Sequence, residues 1–366
     1  MSGAIRREAA CDTCVARGWL LGRLAGHIDL VRTDIGAVVA LSDEELIAAV
    51  GGAHGDQILR ELGEFDADAA RTEAAAAKLD LLCHCSARYP RRLQELDNPP
   101  ALVHIAGGLD RFLTLIGEEP VAIVGTRRAS PYGLEVARSL GRDLGRAGVP
   151  VISGLALGID SAAHEAAVSS GTRAVAVLPG GADRPHPTSK RSLYRRIMAA
   201  GVGVSELPPG TAPRRWMYIA RNRIIAALAS MTIVVEAGER SGALLTAAFA
   251  SRLGRPVGAV PGRITTATAE GTNGLLADGA TVVRGIQDVL DRIYGVGVRY
   301  SPGPPVRPEL EPELEALLLA IADGHDTMAA LERAGLTPQQ ALSGLAALEI
   351  AGYVRREPGG RFTATA

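Results

Sequence analysis

The residues best placed to do chemistry lie in a short turn, Gly125-Thr-Arg-Arg-Ala-Ser130. It follows four apolar residues, Val121-Ala-Ile-Val124, and precedes a helical run opened by Ser130-Pro131. A strand that turns directly into a helix start presents free backbone N–H groups and a positive dipole end, which suits an anion such as phosphate. Arg127 and Arg128 inside the turn add two full charges. Four further glycine loops recur: Ser153-Gly-Leu-Ala-Leu-Gly-Ile-Asp160, Leu178-Pro-Gly-Gly181, Glu236-Ala-Gly238 and Val260-Pro-Gly262. Ser241-Gly242 opens another helix that could cradle an anion.

A basic stretch points to a polymeric ligand. Between Arg184 and Arg223 stand nine cations, Arg184, Lys190, Arg191, Arg195, Arg196, Arg214, Arg215, Arg221 and Arg223, against one acid, Glu206. The whole chain carries a net charge of −1, so this is a local patch on a balanced protein, which suits a polyanion. Tyr194, Trp216, Tyr218 and His186 lie among the cations, where rings either stack on unpaired bases or fill the core. Arg221-Asn222-Arg223 offers two guanidinium forks and an amide for phosphate or base edges. An internal role, with an arginine tied to Asp160 or Glu236, is equally physical. Asp160, Ser161 and His164 could be read as a triad, but no nucleophile elbow surrounds them and helix capping is the commoner use.

Cys11-Asp-Thr-Cys14 and Cys83-His-Cys85 form two close pairs. Four thiolates could complete a structural zinc site; the plainer reading is four small, partly buried thiols. With four cysteines in 366 residues a disulfide framework is not expected.

The elements that must position these residues follow from periodicity. Helical runs are expected over 15–27, 34–39, 44–50 and 65–78, giving a helical N-terminal domain over 1–90. From 91 to 295 strands at Val121–Val124, 149–153, 174–178, Val202–Ser205, 231–235 and 257–260 alternate with helices. That alternation predicts a doubly wound, mostly parallel sheet, with ligands beyond the carboxyl ends of the strands. Hydrophobic residues make up 47% of the chain and aromatics only 4%, as suits buried Val/Ala-rich strands under Ala-rich helices. A Pro-rich linker is expected over 296–312. Three helices and a hairpin over 313–366 then make the pattern of a winged helix-turn-helix domain. The helix over 338–350, its candidate recognition helix, contains no Lys or Arg, which disfavours a duplex groove. No window is long and uncharged enough for a membrane span, and the N-terminus lacks an apolar leader core, so a soluble, cytoplasmic protein is expected.

Several chemistries are disfavoured. There is no G-x-x-x-x-G-K-[ST] phosphate loop. Arginine replaces the glycine that would let a pyrophosphate lie on the first loop, which argues against dinucleotides. No carboxylate cluster suggests a metal nuclease.

Taken together, the motifs resemble the DNA-processing protein A (DprA/Smf) family. They are Gly125-Thr-Arg127 with Ser130-x-Tyr132-Gly133, Ser153-Gly-x-Ala-x-Gly-Ile-Asp160, Ser205-Glu-x-Pro208, Arg221-Asn-Arg-Ile-Ile-Ala226, Val235-Glu-Ala237, Ser241-Gly-x-Leu-x-Thr-Ala247, Val260-Pro-Gly262 and Gly271-Thr-Asn-Gly-Leu-Leu-x-x-Gly-Ala280. They stand in the family's order over about 121–290.

The resemblance implies an extended Rossmann-like domain that holds single-stranded DNA without catalytic turnover. It also implies delivery of RecA to that strand in natural transformation, a homodimer, and no required cofactor. The family's DNA-contacting arginine falls on Arg127, and its second cation on Lys190 or Arg191. Where the family has Tyr-Pro-x-x-Asn this chain has His186-Pro-Thr-Ser-Lys190, and Tyr218-Ile219 stands where Phe-Pro is common. Gly125, Arg128, Ser130, Gly154, Arg221, Asn222, Arg223, Ser241 and Gly242 complete the expected DNA-binding set. The alternative is a Rossmann-like nucleotide hydrolase of the phosphoribohydrolase type, which shares Pro179-Gly-Gly181 but continues with Gly-Thr and a glutamate absent here.

Overall fold

The computed structural model describes residues 9–30, 35–299, 310–357 and 359–364. The N-terminal eight residues, the first position of the expected 34–39 helix and most of the expected Pro-rich linker lie outside them. Two compact units part between Ser301 and Pro302.

The first unit is built on a nine-stranded sheet. Its strands are β1 (Leu79–Cys83), β2 (Leu102–Ala106), β3 (Val121–Val124), β4 (Val151–Ser153), β5 (Ala174–Val177), β6 (Val202–Ser205), β7 (Met231–Val234), β8 (Val257–Ala259) and β9 (Thr281–Val282), in the spatial order β1-β2-β6-β5-β4-β3-β7-β8-β9. From β6 to β9 every neighbour is parallel, while β2 pairs antiparallel with β6 and β1 with β2. The parallel part thus starts at β3, winds outward through β4, β5 and β6, and returns to the other side of β3 as β7, β8 and β9. This is the expected mostly parallel α/β sheet. Its switch point, where a crevice opens beyond the carboxyl ends, lies at β3 between β4 and β7.

Side-chain alternation explains why β3 is apolar throughout. Val121 and Ile123 pack into one core with Ala137, Leu140 and Leu144 of the Pro131–Arg146 helix and Ala163 of the Ile159–Ser169 helix. Ala122 and Val124 face a second core with Ile224, Ile225 and Leu228 of the Arg215–Leu228 helix and Ala243 and Ala247 of the Gly242–Arg252 helix. A strand buried on both faces has no use for a polar alternate.

The described residues between 12 and 76 form helices at Asp12–Arg23, Ile35–Ala40, Asp43–Val50, Gly55–Gly63 and Ala67–Ala76 among others. Their core of Leu20, Leu24, Ile28, Leu46 and Ile58 is closed by Leu207, Trp216, Met217 and Ala220 from the sheet region. The sheet also begins earlier than the expected boundary at 90, because β1 falls within 1–90 and pairs along its whole length with β2. An edge strand without period-two alternation, Leu-Asp-Leu-Leu-Cys, is short enough to merge with the alanine-rich helix before it when read as sequence.

The second unit holds helices Pro312–Ala322, Met328–Arg333 and Pro338–Ile350 and a hairpin of β10 (Val354–Glu357) and β11 (Arg361–Ala364). Its core gathers Leu317, Ile321, Leu331, Leu345, Leu348, Tyr353 and Phe362. Thr337 opens the third helix with a capping box to Gln340.

Candidate functional site

A cleft of about 450 Å³ opens at the switch point, lined among others by Gly125, Thr126, Arg127, Arg128, Tyr218, Ile219, Arg221, Asn222, Ser241, Gly242 and Leu245. Seven of the expected DNA-binding residues therefore meet here. They come from the loop after β3, the Arg215–Leu228 helix and the start of the Gly242–Arg252 helix.

The cations divide into exposed and internal ones. Arg127 and Arg128 are exposed at the rim. The Arg127 guanidinium lies over the Tyr218 ring, 4.9 Å from its centroid. The Tyr218 hydroxyl meets His186 Nδ1 at 2.9 Å. Burial and the nearby Arg127 cation both hold His186 below the ordinary histidine range, which favours a neutral ring. Arg127, Tyr218 and His186 thus form a continuous row from the loop after β3 to the segment that carries Lys190 and Arg191.

Arg221 forms the floor. It is 6% exposed, donates to the Val177 carbonyl, and is pushed down to about 10 by burial, with the Asp160 carboxylate offsetting part of that. Asp160 is itself 5% exposed and accepts from Gly154 N–H at 3.1 Å. A Cβ on Gly154 would lie 2.0 Å from Arg221 Nη1, so this glycine is needed for the guanidinium to lie against the loop. The internal reading of Arg221 is the one the geometry supports, and Gly154 serves it, with its N–H turned to Asp160 and not to the cleft.

Arg223, two residues on, is buried and paired with Glu206 at 2.7 Å, and it does not line the cleft. Helical periodicity explains the difference: Asn222 faces the cleft and bonds the Gly242 carbonyl at 3.2 Å, while its two neighbours turn inward.

The helix start that first suggested a phosphate site is already occupied by an internal anion. Ser130 caps the Pro131–Arg146 helix through Gly133 N–H, and its own N–H and hydroxyl donate to the buried Glu236 carboxylate at 2.8 and 2.5 Å. Ser130 is thus a link between the loop after β3 and the loop after β7. Gly125 belongs to the same seam, since a Cβ there would come within 2.9 Å of the Glu236 carbonyl oxygen. The loop's anion-attracting groups are therefore its arginines. The Gly242–Arg252 helix start remains open: Ser241 caps it through Ala243 N–H at 3.4 Å, and a Cβ on Gly242 would meet open space.

Lys190 and Arg191 stand outside the cleft lining. Lys190 ends a short 3-10 turn and pairs with Glu165 at 3.4 Å, whereas Arg191 is exposed at the first position of the Arg191–Ala200 helix. Of the aromatics, Trp216 donates to the Ala25 carbonyl at 3.0 Å inside the helical core, and Tyr194 is buried against the Ala182 carbonyl. Only Tyr218 turns to the cleft, together with the exposed Ile219 and Leu245. Ile219 and Leu245 were not among the expected site residues; as apolar positions in amphipathic helices they look like core until their exposure is known.

No triad forms from Asp160, Ser161 and His164. Ser161 donates to the Ala156 carbonyl, Asp160 is engaged by Gly154, and His164 is fully buried and pushed down to about 4 by desolvation. At the cysteine pairs, the sulfurs of Cys11, Cys14 and Cys85 lie within 4.8 Å of one another, and Cys83 is buried nearby.

Comparison with known proteins identifies the fold and its lineage. Residues 80–294 match the family model described as DNA recombination-mediator protein A. A putative DNA processing protein DprA of Mycobacterium tuberculosis is 41% identical over 249 residues, covering 67% of this chain and 64% of that protein. The chain therefore spans a little under two thirds of that relative. Protein Smf of Synechocystis is 33% identical over 310 residues, 75% of this chain and 77% of that one. The X-ray structure of DNA processing protein A from Streptococcus pneumoniae superposes with a TM-score of 0.62 at 29% identity, over 78% of this chain and 99% of that chain. The Helicobacter pylori DNA processing protein A, whose structure was described for a single-stranded DNA binding mode, gives a TM-score of 0.52 at 28% identity over 59% of this chain and 96% of that one. The chain belongs to the DNA recombination-mediator protein A family.

Proposed function

We propose that this protein binds single-stranded DNA across the switch-point cleft and acts as a recombination mediator that delivers RecA to the strand, without catalytic turnover. One observation carries the binding reading. The cleft sets exposed cations, Arg127 and Arg128, beside the half-buried Tyr218 ring and the exposed apolar side chains of Ile219 and Leu245. A free phosphate or a nucleotide needs the first and little of the second, whereas an unpaired strand offers both phosphates and bare base faces.

The path of the strand follows the row from Arg127 through Tyr218 and His186 toward Arg191. Lys190 and Arg191 stand at the positive end of the Arg191–Ala200 helix, which has no acidic residue in its first turn. Cations there are unfavourable by roughly 0.3–1 kcal/mol each until an anion arrives. The lack of turnover rests on the state of the carboxylates around the cleft: Asp160 is committed to Arg221 and the Gly154 N–H, and Glu236 to Ser130. RecA delivery, the homodimer and a cytoplasmic location are part of this reading through the family.

The test is binding of a labelled oligothymidylate compared with the same length of duplex, alongside an assay for base release from nucleoside monophosphates. Strand binding with no base release is expected, and RecA filament formation on strand coated with single-strand-binding protein should accelerate. Base release without strand binding would replace the proposal with a nucleotide hydrolase.

A further inference from the structure

We propose that Cys11, Cys14, Cys83 and Cys85 bind one structural zinc ion that pins the first helix to the end of β1. Cys14 and Cys85 are 71 positions apart in the chain, yet their sulfurs lie 3.8 Å apart. Zinc–sulfur bonds of about 2.3 Å in a tetrahedron put the sulfurs about 3.8 Å from one another, whereas a disulfide needs about 2.05 Å. With Cys11 included, all three sulfurs fall within 4.8 Å of one another, and the buried Cys83, two residues before Cys85, is the remaining thiol beside them.

The backbone on both sides is fixed by other means, so the cluster does not depend on its own contacts. Cys11 is the N-cap of the Asp12–Arg23 helix and Cys14 sits in its first turn. Arg71 holds this segment from both flanks of Cys11, donating to the Ala10 carbonyl at 3.0 and 2.6 Å and pairing with Asp12. On the other side Cys83 ends β1 opposite Leu102, His84 N–H bonds the Ala101 carbonyl at 2.9 Å, and Ser86 N–H returns to the Cys83 carbonyl at 3.0 Å. That turn brings Cys83 and Cys85 toward the same helix start. His84 packs its ring on Tyr89, with centroids 5.1 Å apart, which leaves Cys83 as the fourth ligand.

The surroundings suit a structural ion. Ala10, Val15, Ala67 and Leu102 pack around the buried Cys14 and Cys83, and Cys85 stands at the surface. Zinc displaces the four thiol protons to solvent and leaves a tetrathiolate of charge −2. The positive end of the helix that begins at Asp12 and the Arg71 guanidinium lie beside that charge. Four reduced thiols this close without a metal would be prone to pair oxidatively, while a bound ion keeps them reduced.

Metal analysis of the full chain, purified without chelator, tests the proposal together with thiol counting. About one zinc per chain is expected, released by a mercurial in step with four thiols. Replacement by Co²⁺ should give the intense sulfur-to-metal charge-transfer and visible bands of a tetrahedral thiolate site. Cys85→Ser, at an exposed position, should fold with normal circular dichroism and show weaker metal retention and a reduced charge-transfer band. Zinc well below stoichiometric amounts with four reactive thiols in the folded wild type, a Cys14–Cys85 disulfide by mass, or a Co²⁺ spectrum unchanged by Cys85→Ser would each overturn it. None of these readouts depends on DNA binding, so the outcome is independent of the proposed function.

Discussion

Arg221→Met separates a structural arginine from a DNA-contacting one. The substitution keeps much of the side-chain volume and removes the charge facing Asp160 and the donor to the Val177 carbonyl. Both partners are almost fully enclosed, at 6% and 5% exposure, so solvent cannot replace the lost cation. Removing one member of such a pair costs about 3–5 kcal/mol, a large share of the roughly 5–15 kcal/mol that holds a domain folded. Asp160→Asn together with Arg221→Met leaves no buried charge, so the double variant should recover part of the loss. The loss should also depend on pH. Burial raises the Asp160 carboxyl and Arg221 pulls it down; without the arginine the folded pKa rises further above its unfolded value. A group raised in the folded state is favourable below its unfolded pKa and loses that benefit as pH rises through the folded one, so the penalty of Arg221→Met should be smaller at pH 5 than at pH 8. Urea unfolding followed by tryptophan fluorescence reads the right unit, because Trp19 and Trp216 are the chain's two tryptophans and both lie in it. A destabilisation below about 1 kcal/mol, or no coupling to Asp160→Asn, would refute the structural assignment.

Further outcomes follow from the same geometry. Gly154→Ala should destabilise by about 1–3 kcal/mol, because its Cβ would lie 2.0 Å from Arg221 Nη1 and displace the guanidinium; unchanged urea unfolding would contradict this. His104 and His164 are both pushed down to about 4 by burial, from about 6.5 unfolded, so the stability gained by keeping them neutral is present above pH 6.5 and lost as pH falls toward 4. Unfolding free energy measured across that window should fall by about 1.4 kcal/mol per pH unit for each histidine, and His104→Gln should remove one share of the slope. Arg191→Ala should weaken strand binding more than Lys190→Ala, since Lys190 already pairs with Glu165; the reverse order in fluorescence anisotropy would show that this ion pair opens on binding. The isolated segment 310–366 should not bind duplex DNA at micromolar concentration and physiological salt, because its Pro338–Ile350 helix has no cation and Arg355 and Arg361 pair with Glu357 and Asp326.

The parallel strands and their loops were legible because burial on both faces demands runs such as Val-Ala-Ile-Val, and glycine loops punctuate them. The cleft was legible in outline, since Gly125, Arg127, Arg128, Arg221, Asn222, Ser241 and Gly242 do meet at the switch point. What escaped was the direction of side chains. A count of cations cannot tell Arg127, exposed over Tyr218, from Arg223, buried against Glu206 seventeen residues earlier in the chain. The charge pattern of the Arg-Asn-Arg segment is symmetric, and only the packing of its helix decides which face is wet. The occupant of the first helix start was equally hidden, because Glu236 reaches Ser130 across 106 positions. β1 was missed for a different reason: its pairing with β2 is set by register across a long connection, and a five-residue strand with one aspartate carries little periodic signal of its own.

The salt dependence of single-strand binding in wild type and Arg127→Ala tests the central claim most directly. Each phosphate contact adds about 0.7 to the slope of log affinity against log salt for a single strand. Loss of Arg127 should therefore weaken binding and flatten the slope by about 0.7, with unfolding little changed because Arg127 is exposed and rests its guanidinium on the half-buried Tyr218 ring. Arg223→Ala, in contrast, should lower stability and leave the slope of the folded fraction as in wild type. Equal affinity and equal slope for wild type and a well-folded Arg127→Ala would contradict a strand running through this cleft.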